Sequence, residues 1–189
     1  MTTLAERFEA LIPRLETDRL ILRGFRPDDF DHFAAYSASD RAKGTGGPVD
    51  RNLAWRGFCH MTGHWVHRGY GFFVLEEKAT GNALGTCGPY FPEGWPEREI
   101  GWTLWRADAE GKGYAYEAAL AARGYAYDIL GWDTAISMTL DGNTRSELLA
   151  QRMGCTRDGG FVHAQFGPST IWRHPARADL GDGGMEAYA

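Results

Sequence analysis

Cysteine is scarce in this sequence of 189 residues: Cys59, Cys87 and Cys155 are far apart along the chain. A disulfide-stabilised fold needs many cysteines in a short chain, and a structural zinc site needs them in close pairs. The sequence predicts neither, and we expect reduced thiols, as in a cytoplasmic protein. Cys87 falls in a predicted strand without a neighbouring base, so a structural role is favoured over a nucleophilic one.

Long apolar runs and an excess of basic residues are also lacking. Charged side chains at Glu6, Arg7, Glu9 and Arg14 interrupt the apolar stretch that a signal peptide requires. No run approaches the roughly 20 apolar residues that cross a bilayer. The net charge is -5, so nothing indicates a surface that neutralises nucleic-acid phosphates. We therefore expect a cytoplasmic protein that binds neither membrane nor nucleic acid.

The sequence does contain a regular succession of strand-like and helix-like segments. It predicts one mixed α/β domain over residues 15–175, followed by a loose glycine-rich tail over residues 176–189. Strand patterns occur at 17–23, 70–76, 83–91, 99–105 and 134–140, and a hairpin pattern at 160–172. Helix patterns begin at Pro27 and occur at 51–68, after Gly113 and at 143–153. Residues 43–48 are predicted to be an irregular loop.

The helix predicted after Gly113 carries small residues at helical spacing. Its stripe consists of Ala115, Ala119, Ala122, Ala126 and Ile129. Small side chains there would let the helix lie close to a sheet.

Three histidines are spaced for one face of the helix predicted over 51–68. They are His60, His64 and His67, a spacing that would also suit a metal ion. Because no carboxylate follows at a useful interval, an exposed polar face is favoured over a metal site.

The segment from Glu110 to Ala115 places Gly111 and Gly113 between a predicted strand and a predicted helix. Backbone N–H groups at a helix start lack intrahelical partners and attract anions, and glycine lets a phosphate approach the main chain. Lys112 would add a positive charge. A tight turn is the alternative. A P-loop and a dinucleotide fingerprint are set aside, because no Ser or Thr follows Lys112 and a third glycine is missing.

Four segments, in this order, resemble the GNAT acetyltransferase superfamily, in particular its ribosomal-protein alanine N-acetyltransferases. They are 17–23 (TDRLILR), 99–102 (EIGW), 111–118 (GKGYAYEA) and 143–154, which starts NTRS and ends Met-Gly. Two departures stand out: Glu110 replaces the usual Gln or Arg, and the stretch before it lacks a proline and is one residue longer. The resemblance implies a twisted, mostly antiparallel sheet of about seven strands, with helices on both faces and the fourth and fifth strands splayed.

The resemblance also implies a reaction and a place for the cosubstrate. The enzyme would transfer acetyl directly from acetyl-CoA, without a metal, to a peptide N-terminus or a small amine. The pantetheine arm would lie beside residues 102–105, with Leu104 as the leading candidate. The diphosphate would meet the N–H groups of Gly111, Lys112, Gly113, Tyr114 and Ala115. A homodimer is common in the family, but these residues do not reveal one.

Asn143 and Ser146 lie at the start of a predicted helix. The resemblance places Asn143 on the arm and Ser146 near the sulfur, where it would protonate the departing thiolate. The alternative is that both side chains simply cap the helix.

Glu99 resembles the acid often found at this point in the branch and is the candidate base, because an amine must lose a proton before it attacks. The alternative is a solvated strand end, since Glu99 follows Glu97 and Arg98. A chain without a working base would instead be a non-catalytic acyl-CoA-binding or regulatory domain.

The seven tryptophans are an unusual number. Four of them have two interpretations, core packing or the wall of an acceptor pocket: Trp55, Trp65, Trp95 and Trp102.

Overall fold

The computed structural model describes residues 2–164 and 166–181, and within them eight strands form one sheet. The strands are β1 (Leu15–Glu16), β2 (Leu20–Arg23), β3 (Phe73–Glu77), β4 (Ala83–Tyr90), β5 (Glu99–Leu104), β6 (Ile136–Leu140), β7 (Thr156–His163) and β8 (Gly167–Arg173). The α-helices are α1 (Leu4–Glu9), α2 (Asp29–Ser37), α3 (Arg51–Arg68), α4 (Tyr114–Asp128) and α5 (Thr144–Arg152).

The strands lie in the order β1-β2-β3-β4-β5-β6-β8-β7. All neighbours are antiparallel except β5 and β6, which are parallel. The predicted mostly antiparallel sheet is therefore confirmed, with eight strands in place of about seven. The additional strand, β1, has two residues that pair with β2, too few for an alternating pattern to appear in the sequence.

Helices cover both faces of the sheet, as predicted. Successive side chains of β3 point to opposite faces. Phe73 and Leu75 are buried in one cluster with residues of α4, whereas Val74 is buried in another cluster with Phe58 and Met61 of α3. Helices α2 and α3 thus lie on the opposite face of the sheet from α4. They contribute to the lining of the cavity described below.

The small-residue stripe of α4 is confirmed at its centre. Ala119, Ala122 and Ala126 are fully buried, and Ala115 is half-buried. The prediction was wrong for Ile129, which is 70% exposed. This residue follows the last helical residue, so its side chain leaves the stripe.

The prediction of an irregular loop at 43–48 was wrong in its first half. Asp40–Thr45 form a 3-10 helix, in which Ala42 is buried and Lys43 pairs with Asp40 at 2.7 Å. Gly46 ends it with a φ of 85°, a conformation that favours glycine. The 3-10 helix brings a polar segment over the end of β5.

The predicted tail is described only over residues 176–181. Arg177–Asp179 form one 3-10 turn, and the Arg177 N–H donates to the Asp133 carbonyl at 2.8 Å. Residues 182–189 lie outside the described residues, so the loose tail stays a prediction.

Strands β5 and β6 are in register at a single pair, Glu99 and Ile136. In a regular parallel ladder the Met138 N–H would next reach the Ile100 carbonyl. Instead, Met138 donates to the Glu99 carboxylate at 3.1 Å, and the Ser137 hydroxyl donates to the Ile100 carbonyl at 2.6 Å. The side chains of Glu99 and Ser137 therefore end the ladder. The two strands splay from this point, and they are the predicted fourth and fifth strands, numbered β5 and β6 here because of the additional β1.

Candidate active site

A cavity of about 680 Å³ lies beside this splay. Its lining includes three of the predicted site residues, Glu99, Asn143 and Ser146. Leu104 and the loop from Gly111 to Ala115 lie outside that lining. The structure thus groups the predicted chemical residues and separates them from the predicted diphosphate loop.

Glu99 is buried at the edge of the cavity, with 7% of its surface exposed. Its carboxylate accepts the Trp95 indole N–H at 2.5 Å and the Met138 N–H at 3.1 Å. Burial raises the pKa of Glu99 to about 7, and the two hydrogen bonds oppose this shift only in part. The alternative of a solvated strand end is wrong for Glu99, whereas Glu97 and Arg98 are exposed.

The main-chain orientation of β5 follows from its register with β4. The Trp105 N–H donates to the Leu84 carbonyl at 2.7 Å, so alternate residues of β5 turn their N–H and C=O groups toward β4. The intervening residues Ile100, Trp102 and Leu104 turn theirs toward β6. Because the splay begins after Ile100, the main-chain groups of Trp102 face the gap.

Leu104 also faces the gap, but its carbonyl already has a donor. Arg41, from the 3-10 helix, donates to the carbonyls of Leu104 at 2.9 Å and Trp105 at 2.6 Å. The same guanidinium pairs with Glu110, which also binds Arg145. The role of Leu104 stays a prediction. Arg41 was missed, because no local pattern connects it with a carboxylate 69 residues away.

Asn143 is the N-cap of α5, and its side chain accepts the Ser146 N–H at 3.3 Å. The capping interpretation is confirmed for Asn143 and does not compete with a site role, because both side chains also line the cavity. The Trp102 indole donates to the Ser146 hydroxyl at 3.4 Å, which leaves the hydroxyl proton available for another acceptor.

The loop before α4 has a backbone that favours glycine at two positions. Gly111 and Gly113 have φ values of 74° and 84°. No side chain in the described part of the chain caps the N-terminus of α4. Arg19 donates to the Lys112 carbonyl at 2.8 Å and pairs with Glu117 in the first turn of the helix, so the loop is braced from the carbonyl side.

The histidine spacing has another explanation. His64 is buried, which contradicts the expected exposed face at this position, and its ring contacts the Tyr70 carbonyl at 2.7 Å and the Phe91 N–H at 3.0 Å. His60 contacts the Tyr90 hydroxyl at 2.8 Å. Over residues 2–164 and 166–181, no group of three or more His, Cys, Asp or Glu side chains is arranged to hold a metal ion.

The four tryptophans divide between the two interpretations. Trp95 and Trp102 line the cavity. Trp65 is buried in the core, where its indole donates to the Phe72 carbonyl at 2.8 Å, and Trp55 is half exposed on α3.

None of the helices in the described chain is long and apolar enough to cross a membrane.

Comparison with known proteins gives a consistent family. The model of the acetyltransferase (GNAT) domain matches residues 19–156. An acetyltransferase structure from Agrobacterium tumefaciens strain C58 is 35% identical, with a TM-score of 0.80 over 87% of this chain and 95% of that one. A ribosomal-protein-S5-alanine acetyltransferase from Vibrio fischeri is 14% identical, with a TM-score of 0.66 over 85% of this chain and 95% of that one, and shares the fold.

A curated relative is the uncharacterized protein YkkB of Bacillus subtilis strain 168. It is 33% identical over 104 residues, which are 50% of this chain and 60% of the relative. The match therefore spans less than two thirds of that protein.

Proposed function

Because the chain belongs to the GNAT acetyltransferase family, we propose that it transfers an acetyl group from acetyl-CoA to a primary amine, with Glu99 as the base. The observation that carries this proposal is a buried carboxylate at the mouth of a splay between two parallel strands. Burial raises the pKa of Glu99 to about 7, which suits a group that must take up and release a proton near neutral pH.

Two features of the chain fit acetyl-CoA. The uncapped start of α4 leaves its first N–H groups available to a diphosphate, and Lys112 is exposed beside them. The gap beside Trp102 offers main-chain groups with which an amide-containing arm can pair as an added strand. Arg41 and Arg145 add positive charge near the loop, although Glu110 partly neutralises it.

The proposed chemistry assigns one role to each of the three predicted site residues that line the cavity. The Glu99 carboxylate takes a proton from the ammonium form of the acceptor, which frees the nitrogen lone pair. The nitrogen then bonds to the acetyl carbonyl carbon as the carbon–sulfur bond breaks. Ser146, whose oxygen accepts the Trp102 indole N–H, gives its proton to the departing thiolate and takes up the second proton that the new amide nitrogen releases, so that it ends as a neutral hydroxyl. The Asn143 side chain keeps Ser146 in place through its N–H.

The test is the Glu99→Gln variant, which keeps the size of the side chain and removes its basicity. We expect kcat to fall by about 10²- to 10⁴-fold, as for loss of a general base, with the Kd of acetyl-CoA unchanged. Thiol release on a panel of primary amines gives kcat, and calorimetry gives the Kd. Glu97→Gln is the matched control, because Glu97 is a nearby exposed carboxylate bonded to Arg173.

The rival is a non-catalytic acyl-CoA-binding domain. It is supported if the unmodified protein binds acetyl-CoA but releases no thiol with any amine. The proposed base is wrong if amines are acetylated equally fast by the Glu99→Gln variant.

A further inference from the structure

Aromatic rings form a continuous wall along the cavity next to Glu99. Phe72 stacks on Tyr90 with ring centroids 4.5 Å apart, and Tyr90 meets the edge of Trp95 at 5.6 Å. Trp95 in turn contacts Phe166 at 6.0 Å, and the Phe166 ring packs on Gly46, where a Cβ would lie 2.5 Å away. All four rings line the cavity.

This wall directly adjoins the carboxylate. Trp95 donates its indole N–H to Glu99, and Tyr90 is the cross-strand partner of Glu99 in the β4–β5 register. The Phe72 ring covers Gly101, where a Cβ would lie 2.8 Å from the ring and 3.8 Å from the Glu99 carboxyl carbon. Because residue 101 has no side chain, the Phe72 ring fits beside the Glu99 carboxylate.

The charges of the residues that line the cavity also favour an acceptor with a single amine and an apolar body. Among the described lining residues, the Asp, Glu, Lys and Arg side chains other than Glu99 are Arg56 and Glu93, and both are exposed. A second ammonium group inside the cavity would lose its hydration, which is costly. The other carboxylate among the described lining residues, Glu93, is exposed to solvent and would be only a screened partner. A long polycationic acceptor is disfavoured for this reason, and a single amine with an apolar body is favoured.

We propose that the acceptor is a primary monoamine that carries an aromatic ring, an inference that rests on the proposed function. Its nitrogen lies at Glu99, and its ring packs on the wall formed by Phe72, Tyr90 and Trp95. Aromatic rings gain from both apolar burial and offset or edge-to-face contacts with such a wall.

A panel of four amines tests this acceptor class: phenethylamine, butylamine, spermidine and an alanyl tripeptide amide. We expect kcat/KM for phenethylamine to exceed the other three by at least about tenfold, the selectivity that an apolar pocket gives to a few extra carbons. Equal or higher values for any of the other three, with thiol release, overturn the aromatic acceptor and leave the proposed function intact. No thiol release with all four contradicts the proposed function, and the aromatic acceptor with it.

Variants of one wall residue give a second readout. Tyr90→Leu is expected to raise the KM for phenethylamine about tenfold while the KM for acetyl-CoA stays the same, and Tyr90→Phe, which retains the ring, is expected to stay near the original value. Trp55→Leu is the control, because Trp55 is an exposed aromatic residue outside the lining. The inference fails if Tyr90→Leu leaves the KM for phenethylamine unchanged, or if Tyr90→Phe raises it as much as Tyr90→Leu does.

Discussion

At the scale of single residues, Glu99 combines a buried position with an ionisable group. An ionised carboxylate with two hydrogen bonds is less costly to bury than a bare one, but burial still dominates and raises its pKa to about 7. The consequence extends beyond catalysis, because a pKa that differs between folded and unfolded chains makes stability depend on pH.

Stability is expected to fall as the pH rises from about 4.5 to about 7. In that window the folded chain keeps a proton on Glu99 that the unfolded chain has lost, so the free energy of unfolding decreases with pH. Above about 7 the loss is complete, on the order of 3 kcal/mol for a pKa raised from 4.5 to about 7. Glu99→Gln lacks this contribution. Urea unfolding of both proteins at pH 5 and pH 8 measures it, and a constant stability difference between the two proteins would contradict it.

At the scale of elements, the splay depends on side chains of both strands. The His174 ring contacts the Ser137 hydroxyl at 2.9 Å, and burial lowers the pKa of His174 to about 3, so the ring is neutral. Because the Ser137 proton goes to Ile100, the neutral ring must donate its Nε2–H to Ser137. This chain of hydrogen bonds holds β6 away from the ladder with β5.

Ser137→Ala is expected to destabilise the protein by about 1–3 kcal/mol, since it leaves the Ile100 carbonyl and the His174 ring without a partner. It is also expected to raise the KM for acetyl-CoA several-fold, because the splay loses its brace. Thr139→Val is the matched control: Thr139 is a buried hydroxyl on the same strand that binds Trp172 rather than β5. Equal KM values in the two variants would exclude a special role for Ser137. Unfolding and steady-state kinetics provide both quantities.

Two glycines, one just before α4 and one inside it, distinguish the effect of loop conformation from that of helix propensity. Gly113→Ala forces a side chain into a φ of 84° and is expected to cost about 1–2 kcal/mol and to weaken acetyl-CoA binding. Gly124→Ala, inside α4 with open space around it, is expected to stabilise by up to about 1 kcal/mol and to leave binding unchanged. Thermal unfolding and calorimetry test both. Weaker binding by Gly124→Ala would show that the loop conformation is not the cause.

At the scale of the whole molecule, the choice of cosubstrate is expected to be measurable as an increase in stability when the ligand binds. Acetyl-CoA at about 100 times its Kd is expected to add about 2.7 kcal/mol, or roughly 5–10 °C in Tm for a chain of this size. ATP and NAD at equal concentration are expected to give smaller shifts, since neither has a pantetheine arm to occupy the gap beside Trp102. A thermal-shift series measures this. A larger shift with ATP or NAD would contradict the cofactor assignment.

The order of most elements was predictable, because the longer strands and helices leave a local period in the sequence, whereas β1 with two residues does not. Helix α1 was missed although Thr3 and Glu6 form a capping box, a signal that the sequence does contain. The candidate site was predictable where residues lie in short motifs, as with Asn143 and Ser146. It was not predictable for Arg41, whose partner Glu110 is remote in sequence, because such contacts follow only from the tertiary arrangement.

Through the hydrogen bond from Met138, the proposed proton transfer and the shape of the groove depend on one side chain, Glu99. A mutation to a short residue at position 99 would remove the proposed base and also release the Met138 N–H, which could then pair with β5 and close the gap between the two strands. Such a variant would lose acetyl transfer to the amine and the groove for acetyl-CoA together. A related protein that has lost the activity but still binds acetyl-CoA is therefore expected to keep a side chain with an oxygen atom at position 99, Gln rather than Ala.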